Sequence, residues 1–252
     1  MLIKKSRIWT ILLLLASCNG WAAKVIPLQT FNQIQLKGAM QVDIQAGKTE
    51  PKLYLETPDQ QHGKIKLMVK NGALIIQQSA NYKAAKPKLI IHAPSLTALT
   101  VEGSNEVKVT QLHTSDFSLF SSNQGNIEIQ GMVGLKNLIA QGAGTVNIYW
   151  LNTSELSINA SDYTKIILGG KVNTLHATLT GSGSLNARYL STAKAYIRTA
   201  QQARADIAAR QILEAQAVGQ SNIYYYQQPT FLGQHMYEAG SVLNVVDETL
   251  VN

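Results

Sequence analysis

Between residues 99 and 245 the chain repeats one small pattern. An apolar residue, an outward residue and a second apolar residue follow a turn of small side chains. The step falls at Val107/Val109, Ile127/Ile129, Val146/Ile148, Ile166/Leu168, Leu185/Ala187, Ala205/Ile207, Ile223/Tyr225 and Leu243/Val245, with first members 20, 19, 20, 19, 20, 18 and 20 residues apart. A second step precedes each by eight to ten residues: Leu99/Val101, Phe117/Leu119, Leu138/Ala140, Leu156/Ile158, Leu175/Ala177, Ala195/Ile197 and Leu213/Ala215, with a weaker one near Met236 or Tyr237. Turns such as Gly103-Ser104-Asn105, Gly142-Ala143-Gly144 and Gly181-Ser182-Gly183 lie between them. Alternation within a step turns two side chains inward and one outward, and glycine supplies the positive φ of a tight corner. One such unit cannot bury its own apolar side chains, whereas stacked copies make a continuous core. The spacing therefore predicts an all-β fold, a parallel β-helix or β-solenoid with coils of 19 to 20 residues over 99–252. Eight coils at the usual strand spacing would make a rod of about 38 Å.

Two stretches read less cleanly. Thr199 to Ala217 is rich in Ala, Gln and Arg, which favour helix by propensity. Its apolar positions nevertheless keep the coil register (Ala203, Ala205, Ile207), so a coil is expected there too. Residues 24–98 alternate like strands but without the period, at Ile34/Leu36, Val42/Ile44, Leu53/Leu55, Ile65/Leu67/Val69, Leu74/Ile76 and Leu89/Ile91. They carry an Asn-Gly hairpin signal, Asn71-Gly72, that lies outside the repeat. This part is expected to form an irregular β cap on the N-terminal end of the solenoid, because an open end would expose core and unpaired strand edges.

In their order, these motifs resemble the head GIN domain family, described as putative auto-transporter adhesins. The resemblance rests on Phe31-Asn32-Gln33-Ile34-Gln35-Leu36-Lys37-Gly38, Val42-Asp43-Ile44, Gly72-Ala73-Leu74-Ile75-Ile76, Ala93-Pro94-Ser95-Leu96 and Leu99-Thr100-Val101-Glu102-Gly103-Ser104, followed by Gly-Ser-Gly-like turns. It implies an exported, often lipid-anchored β-solenoid with no catalytic residues to carry over. Ser161-Asp162-Tyr163 and Ala200-Gln201-Gln202 depart from the Gly-Ser-Gly turn.

The first residues fit export. Lys4, Lys5 and Arg7 precede Ile8 to Ala16, an apolar run broken only by Thr10. That run is too short to span a bilayer and suits the core of a signal peptide over residues 1–22. Two cleavage readings compete. Leu15-Ala16-Ser17-Cys18 matches a lipoprotein signal and would leave Cys18 lipidated; cleavage after Ala22 would release an unmodified chain. A lipidated form, with Asn19 after the cysteine, is expected at the outer membrane; otherwise the protein is periplasmic or at the cell surface. Cys18 is the only cysteine, so no disulfide framework exists. Of the formal charge of +7, the signal region carries three positive residues, leaving 19 basic against 15 acidic. No run of like charges provides a nucleic-acid footprint.

Parallel β-helices include lyases and hydrolases, so catalysis has to be weighed. Those sites need carboxylates converging from neighbouring coils. The outward residues of the main column are Lys108, Glu128, Asn147, Ile167, Asn186, Asp206, Tyr224 and Asn244. Glu128 and Asp206 stand four coils apart, roughly 19 Å at strand spacing, while Lys108 and Glu128 are adjacent and expected to pair. Asp162 beside Tyr163 reads as an Asx-type turn or as a functional departure. The five histidines show no metal-ligand spacing, so no cofactor is expected. The function expected is a non-catalytic, adhesin-like or scaffolding envelope protein that binds envelope glycan or protein. A carbohydrate-active enzyme and a protein stacking end to end into homo-oligomers are the rival readings. Aromatics are only 7% of the chain, yet Tyr224, Tyr226, Phe231 and Tyr237 gather near its end. They are candidates for partner binding; the alternative is that they shield the end of the core.

Overall fold

Alternation decides which side chains face in, and stacking decides how they meet. The computed structural model describes residues 24–245, so the expected signal peptide, with Cys18, lies outside the described residues. The protein is nearly all β, 69% strand and 3% helix, wound as a β-solenoid of about seven turns of parallel stacked coils. Two ladders run along the stack. The first takes β8 (Ala98–Gly103), β10 (Thr114–Asn123), β12 (Val133–Gly142), the later halves of β13 (Thr145–Ala160), β14 (Lys165–Leu179), β15 (Ser184–Thr199) and β16 (Arg204–Gly219), and β18 (Phe231–Glu238). The second takes β9 (Glu106–Thr110), β11 (Asn126–Ile129), the opening halves of β13 to β16, β17 (Asn222–Tyr225) and β19 (Ser241–Asn244).

Val107, Ile127, Val146, Ile166, Leu185, Ala205 and Ile223 follow one another in register along the second ladder, and all are buried. Full burial of such a side chain is worth about 1.5–3 kcal/mol, and only the neighbouring coils supply it. The Ala- and Gln-rich stretch is a coil corner at 200–203 followed by strand β16, with Ala203, Ala205 and Ile207 buried as the repeat requires. In the first ladder the shared column is Leu99, Leu119, Leu138, Ile158. Leu99 thus matches Leu119 rather than Phe117. An offset of two residues keeps every side chain on its own face, so the inward set is unaffected.

The last coil does shift. Ile223 pairs with Val242 and Tyr224 with Leu243, and Val242 is 7% exposed against 45% for Leu243. The closing inward residue is therefore Val242, not Leu243 with Val245, and the outward residue on that strand is Leu243, not Asn244. Apolar residues of both parities stand side by side here, so alternation alone could not choose between them.

The N-terminal region joins the stack out of order. β2 (Gln33–Gly38) and β3 (Gln41–Ala46) pair in parallel with β8 and β9 on one side. On the other side they pair with β6 (Ala73–Gln78) and β7 (Lys88–Ala93). Antiparallel strands then close the end. β5 (Ile65–Lys70) lies on β6 across Asn71-Gly72, whose φ values of 51° and 75° make the hairpin corner. β4 (Lys52–Glu56) lies on β7, and β1 (Lys24–Pro27) on β4.

Candidate binding surfaces

With its apolar columns turned inward, the solenoid can act only through its outer faces and corners. The tyrosines near the C-terminus divide between two faces. Tyr224 and Tyr226 alternate with buried Tyr225 on the outside of the second ladder, where Tyr224 pairs with Asp206. Asp206, only 6% exposed, accepts from Arg204 Nε at 2.8 Å, Arg204 Nη2 at 2.7 Å and the Tyr226 hydroxyl at 2.8 Å. The Arg204 guanidinium lies 4.3 Å from the centre of the Tyr224 ring, and that of Arg188 lies 4.2 Å from the centre of Tyr226. Burial, and then the bond to Asp206, raise the Tyr226 hydroxyl above its ordinary pKa. The side-chain bond to Asp206 holds Arg204 charged. Phe231 and Tyr237 are brought elsewhere, to the exposed outer face of β18 in the first ladder.

Ionisable groups on the two faces are spread along the rod. Asp43, Lys108 and Glu128 occupy successive strands around a shallow depression of about 290 Å³. Lys108 does not pair with Glu128, contrary to expectation. Gln130 Nε2 donates to Glu128 Oε1 at 2.6 Å instead, because an amide two residues on, just past the end of β11, reaches the carboxylate within a fixed local geometry. On the other face, His176 stacks on Tyr196 with ring centres 4.8 Å apart, beside Arg198, Glu214 and His235 in a second depression of about 290 Å³. Among the described residues no three His, Cys, Asp or Glu side chains gather to hold a metal ion. None of the described helices is long and apolar enough to cross a membrane.

The corner after the second ladder carries large side chains that the repeat did not flag. Trp150 is 68% exposed and Tyr189 72%, with Met132 and Tyr149 also exposed. Tyr149, Trp150 and Tyr189 arise from local breaks in register. Tyr149 and Trp150 stand between the paired positions Ile148 and Leu151 opposite Gly169 alone, and Arg188 is the extra residue before Tyr189. A bulge of this kind bends the strand and re-aims the side chain it adds. Tyr149-Trp150 and Arg188-Tyr189 sit where the intervening coil has Gly169 alone.

The opposite corner, between the two ladders, holds a groove of about 530 Å³, lined by Asp162, Tyr163, Gly181, Ser182, Gln201, Gln202, Gly219 and Gln220. These are equivalent turn residues of four successive coils. Asp162, Gly181, Gln201 and Gly219 all have positive φ, between 63° and 84°. Tyr163, Ser182, Gln202 and Gln220 each donate their backbone N–H to the coil below, at 2.7–2.9 Å. The Asp162 carboxylate accepts from the Gly142 N–H at 3.0 Å and from the Ser161 hydroxyl, both through Oδ2, a turn role in which it keeps its negative charge. Tyr163 is 67% exposed at the edge of the groove. Both turns that depart from Gly-Ser-Gly thus line this one groove.

Residues 30–229 match the family model described as "Putative auto-transporter adhesin, head GIN domain". Among solved structures, a putative lipid binding protein from Parabacteroides distasonis superposes with a TM-score of 0.79 at 20% identity, covering 88% of this chain and 96% of that one. A putative adhesin from Parabacteroides merdae gives 0.74 at 17% identity, with 89% and 95% covered. A putative adhesin from Bacteroides fragilis gives 0.64 at 19% identity, with 88% and 96% covered. Likeness at this identity establishes the shared fold. No curated protein is a significant match to this chain. Neither the family description nor these names denotes an enzyme.

Proposed function

We propose that this chain, which belongs to the head GIN domain family of putative auto-transporter adhesins, is a non-catalytic envelope protein that binds through the outside of a rigid solenoid. It is exported, lipidated at Cys18 and held at the outer membrane, and its partners are envelope glycan or protein. The observation that carries this reading is the exposure of Trp150 and Tyr189 on bulged corners. Large aromatics left in water on a corner of a fold whose inward columns are fully buried mark a contact surface, since ring and polar tip together suit an interface. Phe231 and Tyr237 extend the exposed aromatic surface to the last coil, and Tyr224 and Tyr226 contribute through the face they share with Arg188 and Arg204.

The enzyme alternative needs two carboxylates that converge. On the outer column Asp43 and Glu128 lie two strands apart, about 10 Å by strand spacing, with Lys108 between them. A retaining glycosidase needs about 5–5.5 Å, and an inverting one needs a clear space for water. This arrangement favours binding over hydrolysis. Binding of the purified domain to isolated outer-membrane fragments tests the reading. Replacing Trp150 and Tyr189 together by Ala should lower affinity about tenfold or more with the thermal midpoint unchanged, because both side chains are exposed. Wild-type affinity in that double variant would remove the corner from the binding surface.

A further inference from the structure

We infer that the corner groove running from Tyr163 to Gln220 is a second binding site, one for an extended neutral polysaccharide. The inference rests on the reading that the outside of the solenoid binds envelope material, and it names a different site and a ligand class. Three observations point to that occupant. The lining is polar but uncharged except for Asp162, whose carboxylate is already engaged by Gly142 and Ser161. An anionic ligand would find no counter-charge there, whereas the amides of Gln201, Gln202 and Gln220 offer both donors and acceptors, as sugar hydroxyls require, and the Ser182 hydroxyl, which donates to Gln202 Oε1 at 3.1 Å, can still accept. The backbone at the corner is spent: the N–H groups of Tyr163, Ser182, Gln202 and Gln220 all donate to the preceding coil. A peptide adding as a strand would need those groups free, so recognition must come from side chains. Finally, the groove is open along four coils, and its side chains recur at the strand spacing of about 4.8 Å. An enclosed small molecule would not use that length; a linear chain of rings would, with the exposed face of Tyr163 packing on the apolar side of one ring.

Gln201 sharpens the assignment. It holds a φ of 63°, while the equivalent residues of the flanking coils, Gly181 and Gly219, meet the same demand without a side chain. A long amide kept in a conformation that favours glycine is retained for what the amide touches.

The test is calorimetric titration of the purified domain with hexamers of four neutral glycans: β-1,4-glucan, mannan, xylan and N-acetylglucosamine. Acidic oligogalacturonate serves as the charged comparison. Binding to at least one neutral hexamer is expected, insensitive to salt, because no ion pair is formed. Tyr163→Ala and Gln201→Gly should each weaken it about fivefold or more. Gln201→Gly should leave the thermal midpoint within about 2 °C, which separates lost contact from lost fold. No binding to any of the four overturns the proposal, as does preference for the acidic glycan. Neutral-glycan binding that both variants retain also overturns it. In that last case, weakened binding to outer-membrane fragments by the Trp150/Tyr189 double variant would leave the broader reading standing.

Discussion

Tyr226 and Asp206 show how one outward position can serve stability. Asp206 is almost buried on a face where its neighbours are partly exposed, and three hydrogen bonds converge on it. Bonds to a charged acceptor are worth about 1.5–3 kcal/mol, and an unmade one leaves a desolvated carboxylate. Tyr226→Phe keeps the ring under Arg188 and removes one donor, so a loss of about 1 kcal/mol is expected in chemical denaturation at neutral pH. The pH dependence has a definite sign. The folded state raises the Tyr226 pKa, first through burial and then through Asp206, so folding favours the neutral phenol. That contribution is complete below the free tyrosine value of about 10 and is lost as pH rises through the higher folded value. Wild type should therefore lose stability above about pH 10 more steeply than Tyr226→Phe. Equal slopes would mean that neither burial nor Asp206 raises the phenol's pKa on folding. Little of this was legible in the sequence. Tyr224, Tyr226 and Asp206 were each placed on the outer column by alternation. Their meeting depends on Arg204, on the same strand as Asp206 and beneath Tyr224, and on Arg188, two coils from Tyr226, and a one-dimensional period does not encode such contacts. The aromatic corner was missed for a related reason. A bulge breaks the period that reveals the coils, so Trp150 and Tyr189 lie where the pattern is silent.

Among the elements, the repeat was legible wherever one face is buried, because a slip of one residue would turn every inward side chain to solvent. Val107 through Ile223 obey that rule, and so does the Ala-rich β16, where packing overrode helix propensity. The rule weakens where burial weakens. On β19, Val242 and Leu243 competed for one inward place, and only pairing with Ile223 settled it. The N-terminal region was legible as strands but not as topology. Nothing in β2 or β3 announces that they slot between β6/β7 and β8/β9, since each partner strand presents the same alternation. What ties that junction together is a glycine contact. Gly103 has a φ of 109°, and a Cβ there would sit 2.1 Å from the Gly38 carbonyl oxygen of the inserted coil. Ser104 N–H then donates to the same oxygen at 2.8 Å. Gly103→Ala should force the two coils apart and cost about 2 kcal/mol or more, read as a lower denaturation midpoint. The same substitution at Gly63, where a Cβ would meet nothing within 4 Å, is the control and should be nearly neutral. A Gly103→Ala variant as stable as that control would show that the junction can relax without loss.

For the whole molecule, a stack of coils is close to a one-dimensional system in which each coil is held by its two neighbours. Its ends decide where it opens first, and here they differ. At the N-terminal end, β5, β4 and β1 add antiparallel pairing beyond the outermost parallel coil, so β6 and β7 have partners on both sides. At the other end, among the described residues, β18 pairs only with β16 and β19 only with β17. The inward positions there are also poorly filled. Ala215 faces Gln234, Ala217 faces an exposed Met236, and Val242 alone carries the second ladder's column to its end. In the middle, β14 and β15 pair with strands on both sides along nearly their full length. Opening the last coil therefore gives up one interface and little apolar burial, while opening a middle coil breaks two interfaces and the column running through it. Hydrogen exchange at neutral pH should resolve this as a gradient. Amides of residues 231–244 should exchange by local opening, with protection at least about 2 kcal/mol below that of residues 165–199, which should exchange only with global unfolding. The N-terminal strands β6 and β7 should fall with the middle of the rod. Uniform protection from end to end would mean that the solenoid opens as a single unit and that nearest-neighbour coupling does not describe it. A soft C-terminal coil beside a rigid middle would instead fit both proposed contact sites, since Trp150, Tyr163 and Tyr189 stand on coils with neighbours on either side, where a surface keeps its shape when a partner arrives.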